Sequence, residues 1–496
     1  MTTKLKRQAI FGEGIFSKSA VVTRQRRLNC YLEVRKDGDK SSIVCYGTPG
    51  LRLLFNASLP TGFPARGIVG NDTALYEVTG NRVLSLSAAG QVLVKGTINT
   101  QGGLVGMALN PTQLFIVDGV FGYVFNPATG VVTKAPASFP NGANTVAYCN
   151  GFFICEQPGT NQFFLSALND GTTWPGLSFA AAVQSIDGIQ AIDTLGGLLI
   201  IFSAGHTEFW QNVGSTPEPF QYITNSATMY GIEAINSRAH VGDSILFLAH
   251  TGGGSFQNAS GSFQVAKIQG YGVKVVSTPD VDFIIQQMAR TSTIKDATAY
   301  SYQQDSHAFY QINFPTANRS LLYDTTQDLW SEVQSGITQG YAARHLGNLA
   351  TSAWNTMFVA DAGNGNIYTY DPGVYQDNGN TIVRELVFKT GIQDFNRFRT
   401  AALYLDMETG VGLSNPALQG YRPVVAISRA RDMRDFGPER IVPLGMQGQY
   451  TTRINTRRWG TGRQVTFKLR MTDPVPFVVT AGAAITRLRG KQSAAA

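Results

Sequence analysis

Cysteine and histidine are scarce in this chain, with four and five among 496 residues. Cys30, Cys45, Cys149 and Cys155 form no CxxC pair and have no histidine cluster beside them, which argues against a zinc site. Reduced, structural thiols made in a cytoplasm are the reading that remains. His206, His240, His250, His307 and His345 stand singly, with no HExxH and no i, i+4 pair. No GxSxG elbow occurs. TGGGS (251–255) lacks the Gly-Lys-Ser/Thr ending of a phosphate loop, and GEGIFS (12–17) lacks a third glycine. No apolar run reaches the ~18–20 residues of a membrane span; LGGLLIIF (195–202) is far shorter. The opening MTTKLKRQAIFGEG is basic without an apolar core, so no secretion signal is expected.

What the chain has is a repeat. His307 to Val333, HAFYQINFPTANRSLLYDTTQDLWSEV, reads as strand, polar turn, strand, turn and a third strand start. One such meander cannot cover its own apolar face. An apolar doublet opens each copy: Leu75-Tyr76, Leu114-Phe115, Phe152-Phe153, Leu198-Leu199, Ile245-Leu246, Phe309-Tyr310 and Met357-Phe358. The intervals are 39, 38, 46, 47, 64 and 48 residues, and each doublet leads through a turn into a second apolar strand. Periods near 40–50 residues predict an all-β chain with a β-propeller of six or seven blades, at least one completed by a strand from elsewhere. Several sandwiches in series would need no such fixed unit.

The sequence divides into a basic N-terminal segment with a hairpin (1–56) docking to the propeller, the propeller (57–372), a basic β-sandwich-like domain (381–490) and a disordered tail (491–496). GVYQDNGN (373–380) reads as a linker. LNCYLEV and SSIVCYG flank the turn KDGDK, which signals the hairpin. The net charge of +7 is unevenly spread: +7 over 1–56, −10 over 57–420 and +10 over 421–496. An acidic body between two basic ends implies an anionic partner or acidic surfaces on neighbouring subunits. The candidate interface or channel residues are therefore Arg24, Arg26, Arg27, Arg429, Arg431, Arg434, Arg453, Arg457, Arg458 and Arg463. Arginine's planar fork pairs bidentately with carboxylates, which suits it to protein interfaces, and the acidic body supplies such partners. Most of the seven from Arg429 to Arg463 are therefore expected at intersubunit or fold-internal contacts, while Arg24, Arg26 and Arg27 read as an anion-binding patch or a solvated basic strand.

A glycosidase needs two facing carboxylates, and Glu208, Glu233, Asp243 and Asp324 are the nominees. Each reads better as a surface or blade-edge acid, and alternation alone puts His206 and Glu208 on one face. No enzyme activity, metal or organic cofactor is expected. Ala167 to Trp174 approaches the S-x-D-x-G-x-T-W hairpin of sialidase-type propellers, with Ala167 for Ser and Asn169 for Asp; it is a turn-stabilising element.

RRLNCYLEV…YGTPGL (27–51), ALNDGTTW (167–174), LLIIFSAGHTEFWQNVGSTPEPF (198–220), VVSTPDVDFIIQQM (275–288) and the Arg-rich run 428–476 occur in order. In this they resemble the tail-hub, or nozzle and packaged-DNA stabilisation, proteins of short-tailed bacteriophages. TGGGSFQNASGSF (251–263) departs from the compact glycine turn of that family. The resemblance implies a virion tail protein, assembled in the bacterial host cytoplasm. Such proteins form a homohexameric tube below the portal-adaptor ring, extending the DNA channel and retaining packaged DNA. The partners implied are the adaptor, a tail fibre or spike, a needle or plug, and passing double-stranded DNA read without sequence specificity, with no membrane insertion. The alternatives are a carbohydrate-binding or glycan-cleaving propeller of a tail spike, and a DNA-binding protein outside a tail.

Overall fold

The computed structural model describes residues 25–35, 43–56, 63–185, 187–251, 262–338, 341–342, 344–392, 397–431, 435–462 and 464–488. Seven antiparallel blades follow one another: 65–97, 106–134, 146–181, 189–222, 230–275, 298–333 and 347–371. Every apolar doublet lies on the second strand of its blade. Blade 2 shows why the doublets are apolar. Successive side chains of a strand point to opposite faces, and radial stacking buries both. Leu114 and Ile116 pack with Tyr76 and Val78 of blade 1, while Phe115 and Val117 pack with Phe153 and Cys155 of blade 3.

Blade 7 contributes only three strands in sequence, and its fourth is Gly50–Phe55, paired antiparallel to Ile367–Asp371. The ring is thus closed by a segment that precedes it. The 64-residue interval holds the one α-helix among the described residues, Pro279–Thr291, between blades 5 and 6. Thr278 caps it, Pro279 fixes its first turn, and Asp280 and Asp282 sit at the positive end of its dipole. Val281, Ile284, Ile285 and Met288 make one buried stripe against Leu248, Ile312 and Trp330. No helix among the described residues is long and apolar enough to cross a membrane.

The C-terminal strands form a sandwich. One sheet is ordered Cys30–Val34, Ile43–Gly47, Val478–Leu488, Phe398–Met407, Ile454–Gly462. The other runs Arg384–Ile392, Gln464–Met471, Val424–Arg431, Arg440–Pro443. Phe388, Phe398, Trp459 and Phe467 fill the space between them, together with Cys30 and Cys45. All four cysteines are free and buried, and burial pushes the Cys149 thiol up to about 11.

The connecting segments are built into both bodies. The hairpin 30–47 pairs with the sandwich through Cys45 and Tyr46 against Val479 and Val478, and on its other face Tyr31 packs against the propeller, edge-on to Phe309 of blade 6 at 5.3 Å. Its apolar face matches the sandwich core, and only the strand after it, 50–55, belongs to a blade. Residues 373–380 are not a free linker: Gln376–Asp377 and Asn380–Thr381 form a small hairpin at the outer edge of blade 7, with Asp377 in register with Leu51. The tail 491–496 lies outside the described residues, as does most of the loop 251–263.

Arg26–Leu28 joins the two bodies. It pairs in parallel with Leu329–Val333, the outer strand of blade 6, and antiparallel with Arg384–Ile392 of the sandwich. A nine-stranded sheet therefore runs without a break from blade 6 through the sandwich. Asn29, next in the chain, has φ +52 and fastens the crossing point. Its Nδ2 donates to the carbonyls of Gln334 (3.0 Å) and Val383 (2.9 Å), and its Oδ1 accepts from the Gln334 amide (2.9 Å). Asn29→Ala removes three buried hydrogen bonds and puts alanine in a left-handed conformation that asparagine tolerates better. The expected cost is about 3 kcal/mol by urea denaturation, with Asn29→Gly falling in between because it relieves only the backbone.

Candidate interface: the basic strands

Three of the ten arginines turn out to be internal. Arg26 pairs with Glu332 (3.0 Å) and Glu385 (3.2 Å), one acid from the propeller and one from the sandwich. Burial lowers the Arg26 pKa, and the two carboxylates more than reverse this, leaving it raised. Glu332, also held by Arg319 at 2.7 Å, titrates below its ordinary range because its two arginines outweigh its own burial. Arg27 is buried and donates to the Trp330 carbonyl at 2.6 Å. Arg429 is buried in the sandwich, its guanidinium against Gly462, where an added Cβ would come within 2.9 Å of it.

Arg453, Arg457 and Arg458 are exposed. Among the described residues, Ile454–Gly462 is an edge strand, paired on one side only, with Phe398–Met407. The register slips between Thr400 and Ala402, so the edge strand carries an extra residue there. Arg458 occupies it at φ +63. The bulge turns Arg457 and Arg458 both outward while Ile454, Thr456 and Trp459 stay buried. Strict alternation would have buried one of the two arginines.

The structure adds Arg440, which sequence reasoning passed over. Its guanidinium lies 3.9 Å from the centre of the Trp459 ring and donates to the carbonyls of Arg457 and Arg458 (3.1 Å for the latter). Glu439 beside it takes a bidentate pair from Arg470 at 3.0 and 2.6 Å, which holds the Glu439 pKa down. Arg431 ends the strand Val424–Arg431, with its side chain outside the described residues. Arg24, Arg434 and Arg463 lie wholly outside them.

The nominated acids are scattered over blades 4, 5 and 6. Glu208 is buried and accepts from the amides of Val183 (3.0 Å) and Gln184 (2.7 Å), from Ser185 Oγ (2.8 Å) and from Trp210 Nε1 (3.2 Å). Asp324 contacts His307 Nδ1 at 2.6 Å and accepts from the Thr326 amide at 2.9 Å. Both are turn and blade fasteners. Asp170 does the same for its hairpin, accepting from Thr172 N (2.9 Å) and Oγ1 (2.6 Å) while Trp174 Nε1 donates to Gly171. Glu156 repeats the device, receiving the amides of Asn144 (2.6 Å) and Thr145 (3.0 Å). No group of three His, Cys, Asp or Glu among the described residues is placed to hold a metal ion.

Residues 17–375 match the family model described as "Bacteriophage P22 Gp10, beta-propeller", and residues 383–486 match "Bacteriophage P22 Gp10, beta-sandwich". No curated protein matches the chain. Among solved structures it is similar to the Neurospora crassa Pan2 WD40 domain (10% identity, TM-score 0.40), covering 67% of this chain and 96% of that one. The N-terminal domain of Nup159 gives 9% identity and a TM-score of 0.39 over 68% and 98% of the two chains. The extracellular domain of BT4673 from B. thetaiotaomicron gives 9% and 0.41 over 69% and 45%.

Proposed function

Because this chain belongs to the bacteriophage P22 Gp10 family of tail hubs, and is thus a structural component of a phage tail, we propose that it works as a homohexameric nozzle below the portal-adaptor ring. The tube extends the DNA channel, retains the packaged genome, and offers surfaces to fibres or spikes and to a plug. Its assembly takes place in the host cytoplasm. The observation that supports this reading is the match of both modules, in order, over nearly the whole chain. The spike-like alternative finds little support, since Glu208 and Asp324 are engaged in holding turns.

A closed ring needs one surface of a subunit to meet a different surface of the next. The exposed Arg457 and Arg458 on an edge strand, with the exposed Arg453 just before it, suit one half of such a contact, and the −10 of residues 57–420 suits the other. Lumen contacts with DNA would instead add about one unit of salt slope per phosphate neutralised. Images of the purified chain with its adaptor ring test the assembly, and a six-fold tube is the expected result. The double variant Arg457→Ala/Arg458→Ala is expected to lower hub assembly onto the adaptor by tenfold or more, on the order of 1–2 kcal/mol per subunit contact. Particles that do assemble should keep their DNA. Normal assembly followed by leakage would put this pair in the channel instead.

A further inference from the structure

Glu77 is the anomaly of the propeller. It sits mid-strand in Leu75–Thr79, is fully buried, and neither carboxyl oxygen has a hydrogen-bond partner. Its strand alternates, so Tyr76 and Val78 face blade 2 while Leu75 and Glu77 face blade 7. The other six blades provide an internal comparison. On the face turned to the preceding blade, mid-strand, they carry Ile116, Cys155, Ile201, Phe247, Ile312 and Val359. Six apolar residues and one orphaned carboxyl occupy the same place, and the carboxyl falls at the seam where the ring closes.

The surroundings offer no relief. Ile68 and Leu84 flank Glu77 on the neighbouring strands, and blade 7 presents Phe55, Ala353, Phe358 and Ile367. The charged groups of these elements are otherwise placed. Arg52 and Asp371 pair with each other at 2.9 Å on the exposed side of blade 7. Asp361 accepts from the Gly363 amide (2.7 Å) and the Tyr368 hydroxyl (2.8 Å). Within blade 1, Arg66 is bound to carbonyls, Arg82 lies at the start of its strand, and Lys95 is on the outer strand; none contacts the Glu77 carboxyl.

We infer that the contact between blades 7 and 1 is a pH-sensitive closure of the ring, with Glu77 as its sensing side chain. An isolated carboxylate is far too costly in such a site, so the closed seam holds the acid form. Burial alone raises its pKa well above the ordinary value. The closed state therefore binds the proton more tightly than any state that exposes Glu77. Closure is strongest below the usual carboxylate range and weakens as pH rises towards the elevated value. Opening releases the proton to water and hydrates the carboxylate. Blade 7 is suited to yield, because its outer strand comes from 50–55 and does not continue the chain of that blade, being held to it by strand pairing, packing and the Arg52–Asp371 pair.

Hydrogen exchange of the full chain, read as protection factors between pH 5 and 8, tests this. Segments 65–86 and 347–371 are expected to lose up to about tenfold protection per pH unit, the limit for one proton. Segments in 146–222 should stay level. Glu77→Ile, which restores the residue type of the other blades, and Glu77→Gln should both abolish the slope at the seam. A slope unchanged in whichever of the two variants folds would overturn the proposal, and so would loss of protection spread evenly over all blades.

Discussion

A chain beginning at residue 57 and ending at 375 is expected to fail as a folded propeller, giving a non-cooperative thermal transition and aggregation, although it contains all seven doublets. Blade 7 would lose Gly50–Phe55, and with it Leu51 and Phe55, both buried. Burying a leucine and a phenylalanine is worth about 1.5–3 kcal/mol each. Their loss also bares the edge of Ile367–Asp371, and the small hairpin that pairs with Leu51 lies beyond residue 375 and is lost as well. A domain with about 5–15 kcal/mol of total stability does not absorb this, and an open apolar edge invites association. Starting the chain at residue 25 restores the closing strand, and a single cooperative transition should return if 384–488 is kept as well. Cooperative melting of 57–375 would show that the ring closes without its N-terminal strand.

The second large effect is expected at Arg66, which is 2% exposed in the first strand of blade 1. Its guanidinium donates to the carbonyls of Gly80 (2.7 Å), Thr100 (2.7 Å), Gly102 (2.7 Å) and Gly103 (2.5 Å), and to Thr100 Oγ1 (2.8 Å). Thr100 in turn donates to Asp118 of blade 2 at 2.9 Å, so one side chain gathers the connection between two blades. Arg66→Met keeps the stem and leaves these oxygens without their donor. The expected loss is about 3–5 kcal/mol, read from the denaturant midpoint. Arg66→Lys should lose nearly as much, because one ammonium does not reproduce a planar fork. Arg52→Met, which breaks the exposed pair with Asp371, should cost less than about 1 kcal/mol. Similar losses for Arg66→Met and Arg52→Met would mean that the clamp is not a stabilising element.

The blades were legible because a strand buried on both faces must carry adjacent apolar residues, and the seven doublets mark that requirement directly. The helix was legible too and was missed. Thr278-Pro279-Asp280 is a start signal, and Val281, Ile284, Ile285 and Met288 follow the helical period, but the expectation of strands hid them. In the sandwich, QYTTRINT (449–456) reads as a strand, whereas the observed strand runs from Ile454 through Gly462. Two consecutive arginines followed by Trp459 break the period of two, because a bulge interrupts it. The Arg26 and Arg27 pairs with blade 6 join residues some 300 positions apart, and no local pattern carries that information. The candidate interface was therefore legible as charge. Which arginines face outward was decided by pairing that only the folded chain makes.

The strand Arg26–Leu28 has a mechanical consequence. Pulling the sandwich away along the strand direction slides it between Leu329–Val333 and Arg384–Ile392, loading the hydrogen bonds of both ladders together in shear. Pulling across the sheet would open them one after another like a zip. With Asn29 pinning its end and the Arg26 ion pairs to Glu332 and Glu385 bracing its flanks, this three-residue segment is a rivet between two rigid plates.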